Sequence, residues 1–543
     1  MQSNHDNVLW EMNNSIDASK EDRVFIDKQL HYTTDNNTSG NYTSNQIEFN
    51  TLASSNSGRI NDYGNGFIDI PLVIAVEGDG VGHDINKDKF DYLMCLKNMN
   101  VSIINSVNVD IGTTSVVNAG VDNIPMYQNF LAHTTWSAQD EELNGPTCGY
   151  AKDGNSYSYS DAVSLAGHGL FNNSIMIADI RAVNRNGGTN LGAKKRCEAF
   201  HSLDSDRIQL LNKLAMKNAS LNYVERANDN VRVYYYNCQI PLKQIHPFFE
   251  KLPLNKGCNI KLKLFLNAPF NITVKSNASE HLSTTGLNMT GGSLICPIMI
   301  SSAEDGAGGF AMDKDVNYKI SCGITKVLAY EPHIKSNCRL YYYSYKGSAE
   351  YESKFMSSPN RSLRFTDLFY SQIDLVTGAH FAKTLSTTMP RVSRLIIIPQ
   401  YGPGANGIDN TVGTLSSPFD SAPGSCVPCL FENFQVRIDD NTVYSNPVSY
   451  TYEQYLLEQA GRFGINNNLV PGLCSSRLSK TDFETNYGYY VVDLQKRESA
   501  YDNVNHSVAL QGKLVSAKDV TLHCFIEYDK TISINVVTGA VEV

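Results

Sequence analysis

No apolar run among the 543 residues approaches the ~18–20 residues that carry a helix across a bilayer, so a helical membrane anchor is not expected. The opening Met1-Gln-Ser-Asn-His-Asp has no apolar core of the kind a secretory leader needs. Without such a leader, the sequons at Asn41, Asn218, Asn271 and Asn288 mean little in an Asn-rich chain. Charge is scarce: Asp, Glu, Lys and Arg make up 18%, against a usual ~25%, and the net charge is −10. Tight binding to duplex DNA needs clustered Lys and Arg to neutralise phosphates. The best cluster, Lys194-Lys195-Arg196, reads as a solvated loop. Sequence-specific nucleic-acid binding is therefore not expected.

Catalytic signatures are missing as well. The sequence holds no H-E-x-x-H, no G-x-S-x-G and no G-x-x-x-x-G-K-[ST]. Cys426-Val-Pro-Cys429 is a lone C-x-x-C, and a structural zinc site needs a second ligand pair. It precedes a strand rather than opening a helix, which disfavours a redox motif. Gly78-Asp-Gly-Val-Gly-His-Asp84 reads as a turn. Asp140-Glu141-Glu142 reads as a solvated face, because paired carboxylates do acid–base work only when they converge in a cleft. No catalytic, cofactor-binding or metal-ligating residue is assigned, no cofactor is implied, and the chain is not expected to be an enzyme. The twelve cysteines are scattered, several inside strand patterns, and read as buried reduced thiols.

What the chain does have is strands, in an order that occurs twice. Val101–Ile111 reaches a polar turn at Gly112-Thr-Thr, then Ser115-Val-Val, then Pro125-Met-Tyr-Gln-Asn-Phe-Leu. Leu430–Ile438 reaches a turn at Asp439-Asp-Asn-Thr, then Val443-Tyr, then Pro447 and the run through Gln459. Each copy reads strand, hairpin turn, strand, proline, amphipathic helix. The flanks align too. Ile47–Thr51 corresponds to Ser362–Leu368, and Phe67–Val76 to Arg391–Pro399. After the two copies, Val231–Tyr236 matches Tyr489–Leu494, Ile260–Leu266 matches Val508–Leu514, and Tyr318–Tyr330 matches Val520–Tyr528. Short helices are expected at Asp88–Met99, Leu242–Glu250, Tyr450–Gln459 and Asp204–Lys217. The tyrosine groups Tyr234–Tyr236, Tyr341–Tyr343 and Tyr487/Tyr489/Tyr490 suit sheet packing and subunit contacts better than sugar stacking.

The stretch Leu96–Asn118 resembles the first-sandwich signature of double jelly-roll major capsid proteins of polinton-like viruses, polintons and virophages, the lineage that includes the adenovirus hexon. Ile240–Gly257, running into Ile260-Lys-Leu-Lys-Leu, resembles the helix-containing loop and next strand of that family, and Gln435–Gln459 the matching part of its second sandwich. The likeness spans most of 46–543. It implies an all-β fold of two tandem eight-stranded jelly-roll sandwiches with short helices in the connecting loops. It further implies a homotrimer, a pseudo-hexameric capsomer tiling an icosahedral shell around a double-stranded DNA genome. The partners would be neighbouring capsomers and minor capsid or penton proteins, and the location the virion, assembled inside the host cell. The expected division is a flexible arm at 1–45, a first jelly roll at 46–345 with a long insertion at 137–230, and a second jelly roll at 346–543. The insertion and the loops at 267–317 and 401–429 are too long for plain hairpins and suit contacts between chains. The competing reading is a β-sandwich carbohydrate-binding protein or glycoside hydrolase, which needs two carboxylates facing across a cleft.

Overall fold

The computed structural model describes residues 24–37, 42, 45–78, 94–118, 120–152, 192, 195–196, 223–226, 231–276, 287–290, 295–300, 316–326, 337–401, 426–427, 429–463, 478–485, 487–496, 503–516 and 519–542. In the first half the strands are β1 (Phe25–Thr34), β2 (Gln46–Asn50), β3 (Ile60–Gly78), β4 (Met94–Leu96), β5 (Ile104–Ile111), β6 (Thr114–Val117) and β7 (Tyr223–Arg226). They continue as β8 (Val231–Pro241), β9 (Ile260–Leu266), β10 (Phe270–Ser276), β11 (Leu287–Thr290), β12 (Ile298–Ile300), β13 (Val316–Ile324) and β14 (Arg339–Gly347). The second half carries β15 (Asn360–Leu375), β16 (His380–Met389), β17 (Val392–Tyr401), β18 (Cys429–Ile438) and β19 (Asn441–Thr442), then β20 (Tyr490–Asp493), β21 (His506–Ser516), β22 (Val520–Asn535) and β23 (Val541–Glu542).

The pairing repeats. In the second half one sheet runs β15-β22-β17-β20 and the other β16-β21-β18-β19. In the first half one sheet contains β1-β14-β3 with β8 on the far side of β3, and the other runs β2-β9-β5-β6. Numbering the jelly-roll strands one to eight in chain order, both halves read 1-8-3-6 and 2-7-4-5. That is the double Greek-key order of a jelly roll. Val107 on β5 and Val436 on β18 thus occupy the same fourth strand. Each fourth and fifth strand is joined by a two-residue turn, Gly112-Thr113 and Asp439-Asp440, whose first residue has φ of 62° and 54°. Positive φ there matches the right-handed twist of the hairpin.

The alternating strands have one wet face. β9 (Ile260-Lys-Leu-Lys-Leu-Phe-Leu) buries every other residue, and β21 does the same. β17 is different, because Leu395 to Ile398 are all buried at consecutive positions. A strand buried on both faces reads as a continuous apolar run, and β17 has its own core on one side and the first sandwich on the other.

Several expectations need correcting. The arm expected over 1–45 contains β1, which pairs with β14 from Phe25 to Thr34. β1 was illegible as a strand because it buries little: its residues are half-buried or exposed, so it lacks an apolar rhythm and is held by backbone hydrogen bonds. The counterpart of β15 is therefore β1, and β2 (Ile47) corresponds to β16 instead of to Ser362–Leu368. The counterpart of β22 is β14, which bonds both first and third strands; β13 (Tyr318 onward) lies beyond it along β3. The expected helix Asp88–Met99 falls partly outside the described residues, and Met94–Leu96 forms a strand paired with β12. Leu242–Glu250 splits into two single turns, Leu242–Ile245 and Phe248–Lys251, because His246 precedes Pro247 and is extended at φ −154°, ψ 141°. Pro125 lies in the first turn of the helix Ile124–Thr135. Pro447 does not open a helix: Val448 bridges to Phe434, and the helix spans Tyr452–Phe463. The helix expected at Asp204–Lys217 and most of the loop after Gly78 lie outside the described residues. The loop expected at 267–317 holds β10 to β12.

Candidate functional site: the seam between the sandwiches

The helix Ile124–Thr135 follows the fifth strand of the first sandwich and lies against the second. Ten of its twelve residues are buried, so it has no wet face and is enclosed from both sides. On the second sandwich it meets β22, β17 and the segment leading into β20. Arg394 of β17 and Glu527 of β22 face each other across the strand pair with 3% and 1% of their side chains exposed. Arg394 Nε donates to Glu527 Oε2 at 3.1 Å and Nη2 to Oε1 at 2.5 Å. Tyr127 from the helix donates to the same Oε1 at 2.8 Å. The Arg394 guanidinium sits 5.2 Å from the Phe130 ring, and Phe130 meets Tyr489 edge-on at 5.0 Å. His133 Nδ1 lies 2.8 Å from the Tyr489 hydroxyl, with its ring 4.4 Å from that of Tyr487.

A relay crosses the seam beside this helix. Asn123 Nδ2 donates to the Tyr370 hydroxyl at 2.6 Å, and that hydroxyl lies 2.8 Å from His523 Nδ1. Burial pushes the His523 pKa down to about 4, with Asp374 opposing. The ring is thus neutral near pH 7, and the Tyr370 hydroxyl oxygen accepts from Asn123.

A second cluster centres on Asp367 of β15. Its carboxylate lies 3.2 Å from His246 Nε2 and 3.5 Å from Lys530 Nζ, and it accepts from the Tyr528 hydroxyl at 2.9 Å. Burial alone would raise this acid, but the His246 hydrogen bond and the Lys530 charge outweigh it and hold it below the usual carboxylate value. Lys530 Nζ also donates to the Val116 carbonyl of β6 at 2.7 Å. Phe248 meets Phe365 edge-on at 5.2 Å. Two further contacts cross the seam: Lys256 N–H donates to the Val536 carbonyl at 2.8 Å, and Lys152 Nζ to Asp482 at 3.1 Å.

These contacts are hydrophobic, charge-paired and hydrogen-bonded, and they join the two sandwiches. Among the described residues no three His, Cys, Asp or Glu stand close enough to hold a metal ion. Cys426 is buried and Cys429 half-buried; burial raises both thiols, Cys429 to about 12, which leaves them unreactive. The ten described cysteines are all free, nine of them buried. Asp140 closes a capping box with Ser137 at the start of the helix Ala138–Cys148. Glu141 and Glu142 line a cavity of about 620 Å³ with Asn100, Lys195, Arg196 and Tyr236. Arg196 is not solvated as expected: it is buried and donates to the carbonyls of Leu96 and Ala151. Among described residues no helix is long and apolar enough to cross a membrane.

Tyr487, Tyr489 and Tyr490 are buried at or beside the seam, in keeping with a packing role. Sequence reasoning missed the seam itself. Its signal was present as opposite charges, Arg394 and Glu527, each next to a run of buried apolar residues.

No protein-family model matches the chain, and no curated protein does. Solved structures do. The chain is similar to a chain of the cryo-EM structure of the Sputnik virophage, with 12% identity and a TM-score of 0.52, covering 97% of this chain and 90% of that one. Mavirus major capsid protein aligns with 10% identity and a TM-score of 0.46, over 97% of this chain and 92% of its own. Faustovirus major capsid protein aligns at 8% identity and 0.42, over 96% and 94%. The Sputnik likeness spans both sandwiches and, with the repeated strand order, shows the fold: two jelly rolls in one chain.

Proposed function

We propose that the chain is a major capsid protein of a double-stranded DNA virus, a structural and not an enzymatic component of the virion shell. One observation carries this reading: two jelly rolls of identical strand order are fused through a buried, charge-paired seam, in a fold shared over nearly the whole length of a virophage chain. A shell block has to be stiff, because it is repeated many times and each error in angle propagates. The seam supplies that stiffness with Arg394–Glu527, Asp367–His246–Lys530 and the enclosed helix.

Three copies would place six sandwiches in a ring, a pseudo-hexameric capsomer that tiles an icosahedral shell. Its partners are other copies of itself and minor capsid or penton proteins. The net charge of −10 suits a wall around DNA rather than a sequence-specific binder. The first unit runs from β1 through β14 and the second from β15 onward. Native mass spectrometry of the purified chain at micromolar concentration tests the proposal. The expected species is a homotrimer of about 180 kDa, three chains of 60.1 kDa; a persistent single chain under assembly-permissive salt overturns it.

A further inference from the structure

The two jelly rolls are equivalent in strand order but not in what covers them. In the second, the outward face of the first, eighth and third strands carries Tyr370, Phe525 and Ile396 in one register row. The helix Ile124–Thr135 lies over that face, with Tyr127 5.9 Å from Phe525. In the first sandwich the matching strands are β1, β14 and β3, and one row on their outward face is Tyr32, Tyr341 and Phe67. This row is also aromatic: Phe67 stacks on Tyr341 at 4.9 Å and Tyr32 lies 5.6 Å from Tyr341. The next positions on the same face are Leu30 and Tyr343. Here, however, the β1 side of the face is exposed. Ile26, Leu30 and Tyr32 are 61%, 51% and 53% exposed, and Tyr341 and Tyr343 are half-buried. An exposed apolar patch of this kind on a sheet marks an interaction surface.

We propose that this patch is the docking surface for a second copy of the chain, and that its occupant is the helix Tyr452–Phe463 of that copy. The inference rests on the capsomer reading and deepens it. The helix Tyr452–Phe463 stands in the second sandwich where Ile124–Thr135 stands in the first, between the fifth and sixth strands. Ile124–Thr135 is enclosed, whereas Tyr452–Phe463 exposes Leu457 at 64% and Glu453 beside it one turn earlier. The patch offers matching charge. Lys28 Nζ lies 4.2 Å over the Tyr343 ring, and Arg339 4.9 Å from that of Tyr32. Glu453 is two-thirds exposed; it pairs with the exposed Lys480 at 3.7 Å and is hydrogen-bonded by Thr451, and it sets a negative charge beside Leu457. The contact within a chain, helix of one sandwich onto the sheet face of the next, would then be repeated between chains. Such a head-to-tail contact closes into a ring when the rotation permits.

The test uses the full-length chain in three forms: wild type, a patch variant (Leu30→Asp with Tyr32→Ser) and a helix variant (Leu457→Asp). The altered side chains are exposed, so thermal melting should stay close to wild type, and melting reports any failure to fold. Sedimentation velocity reads the assembly. Wild type is expected as a trimer, with association of each variant weakened at least about 30-fold, as for an interface hot spot. A mixture of the two variants is expected to yield heterodimers and no trimers, because one intact helix meets one intact patch and the ring cannot close. If wild type trimerises and both variants do too, the docking inference falls while the capsomer reading stands. If only the patch variant loses assembly, or mixing restores nothing, another segment occupies the patch and the assignment of the helix is overturned. If wild type is monomeric, the capsomer reading fails first.

Discussion

Glu527 sits among Cys524, Phe525 and Ile526, and Arg394 is followed by four buried aliphatic positions from Leu395 to Ile398. Neither charge is tolerable there alone, since an unpaired buried ion costs several kcal/mol. Glu527→Ala is therefore expected to destabilise the chain by about 3–5 kcal/mol, read from urea unfolding. The double variant Arg394→Met/Glu527→Leu should lie within about 1 kcal/mol of wild type on the same argument. Equal losses for the single and double variants would show that the pair has no such role. A charge of each sign inside a doubly buried strand is legible in sequence, but which charges meet is not, because β17 and β22 are more than a hundred residues apart. His523 gives the pH dependence. Its pKa is lowered from 6.5 to about 4 by burial, so its contribution is present above pH 6.5 and is lost as pH falls toward 4, about 3 kcal/mol in full. Asp35 opposes it. Burial raises its pKa from 3.8 to about 6, so its contribution is present below pH 3.8 and is lost as pH rises through 6. In unfolding measurements from pH 7 to 4, His523→Gln is expected to flatten the acid loss and Asp35→Asn to steepen it. Profiles parallel to wild type would contradict both assignments.

Elements with a clear rhythm were readable, and those without one were not. β9 and most of β21 alternate and lie where the sequence places them, because each has one wet face; the strand expected from Val101 starts only at Ile104, because Asn100–Ile103 is a fully buried 3-10 turn. β1 lies at an edge with little burial, so its residues look like an arm. The split at His246-Pro247 follows from one proline, yet apolar periodicity alone carries a helix straight through it. The consequences can be measured. Deleting residues 1–34 removes β1 and leaves β14 as a bare, tyrosine-rich edge. That deletion is expected to aggregate in light scattering, the usual fate of an uncovered flat edge; a soluble, equally stable product would show that β1 is dispensable. At the seam, Gly257 donates to the Val536 carbonyl at 3.3 Å, and a Cβ there would lie 1.7 Å from the Val537 carbonyl oxygen. Gly257→Ala must push the carboxy-terminal loop off the first sandwich, at an expected cost of about 1–3 kcal/mol. An unchanged urea midpoint would mean that the loop moves freely.

For the whole molecule, the duplicated strand order was legible from the two hairpin units around Gly112 and Asp439, because turn chemistry and alternation are local. The packing of one sandwich on the other was not, because it depends on which faces are left apolar after each sandwich has closed its own core. One aromatic sheet face is covered by the helix Ile124–Thr135 within the chain, and in the proposed ring of three chains a neighbour's helix would cover the other. The direct measurement is electron microscopy of the purified particles, averaged in top view. The account predicts blocks with six lobes and three-fold symmetry, because each chain contributes two similar but distinct sandwiches. Averages showing isolated two-lobed particles, at concentrations where the wild-type chain is fully folded, would contradict it.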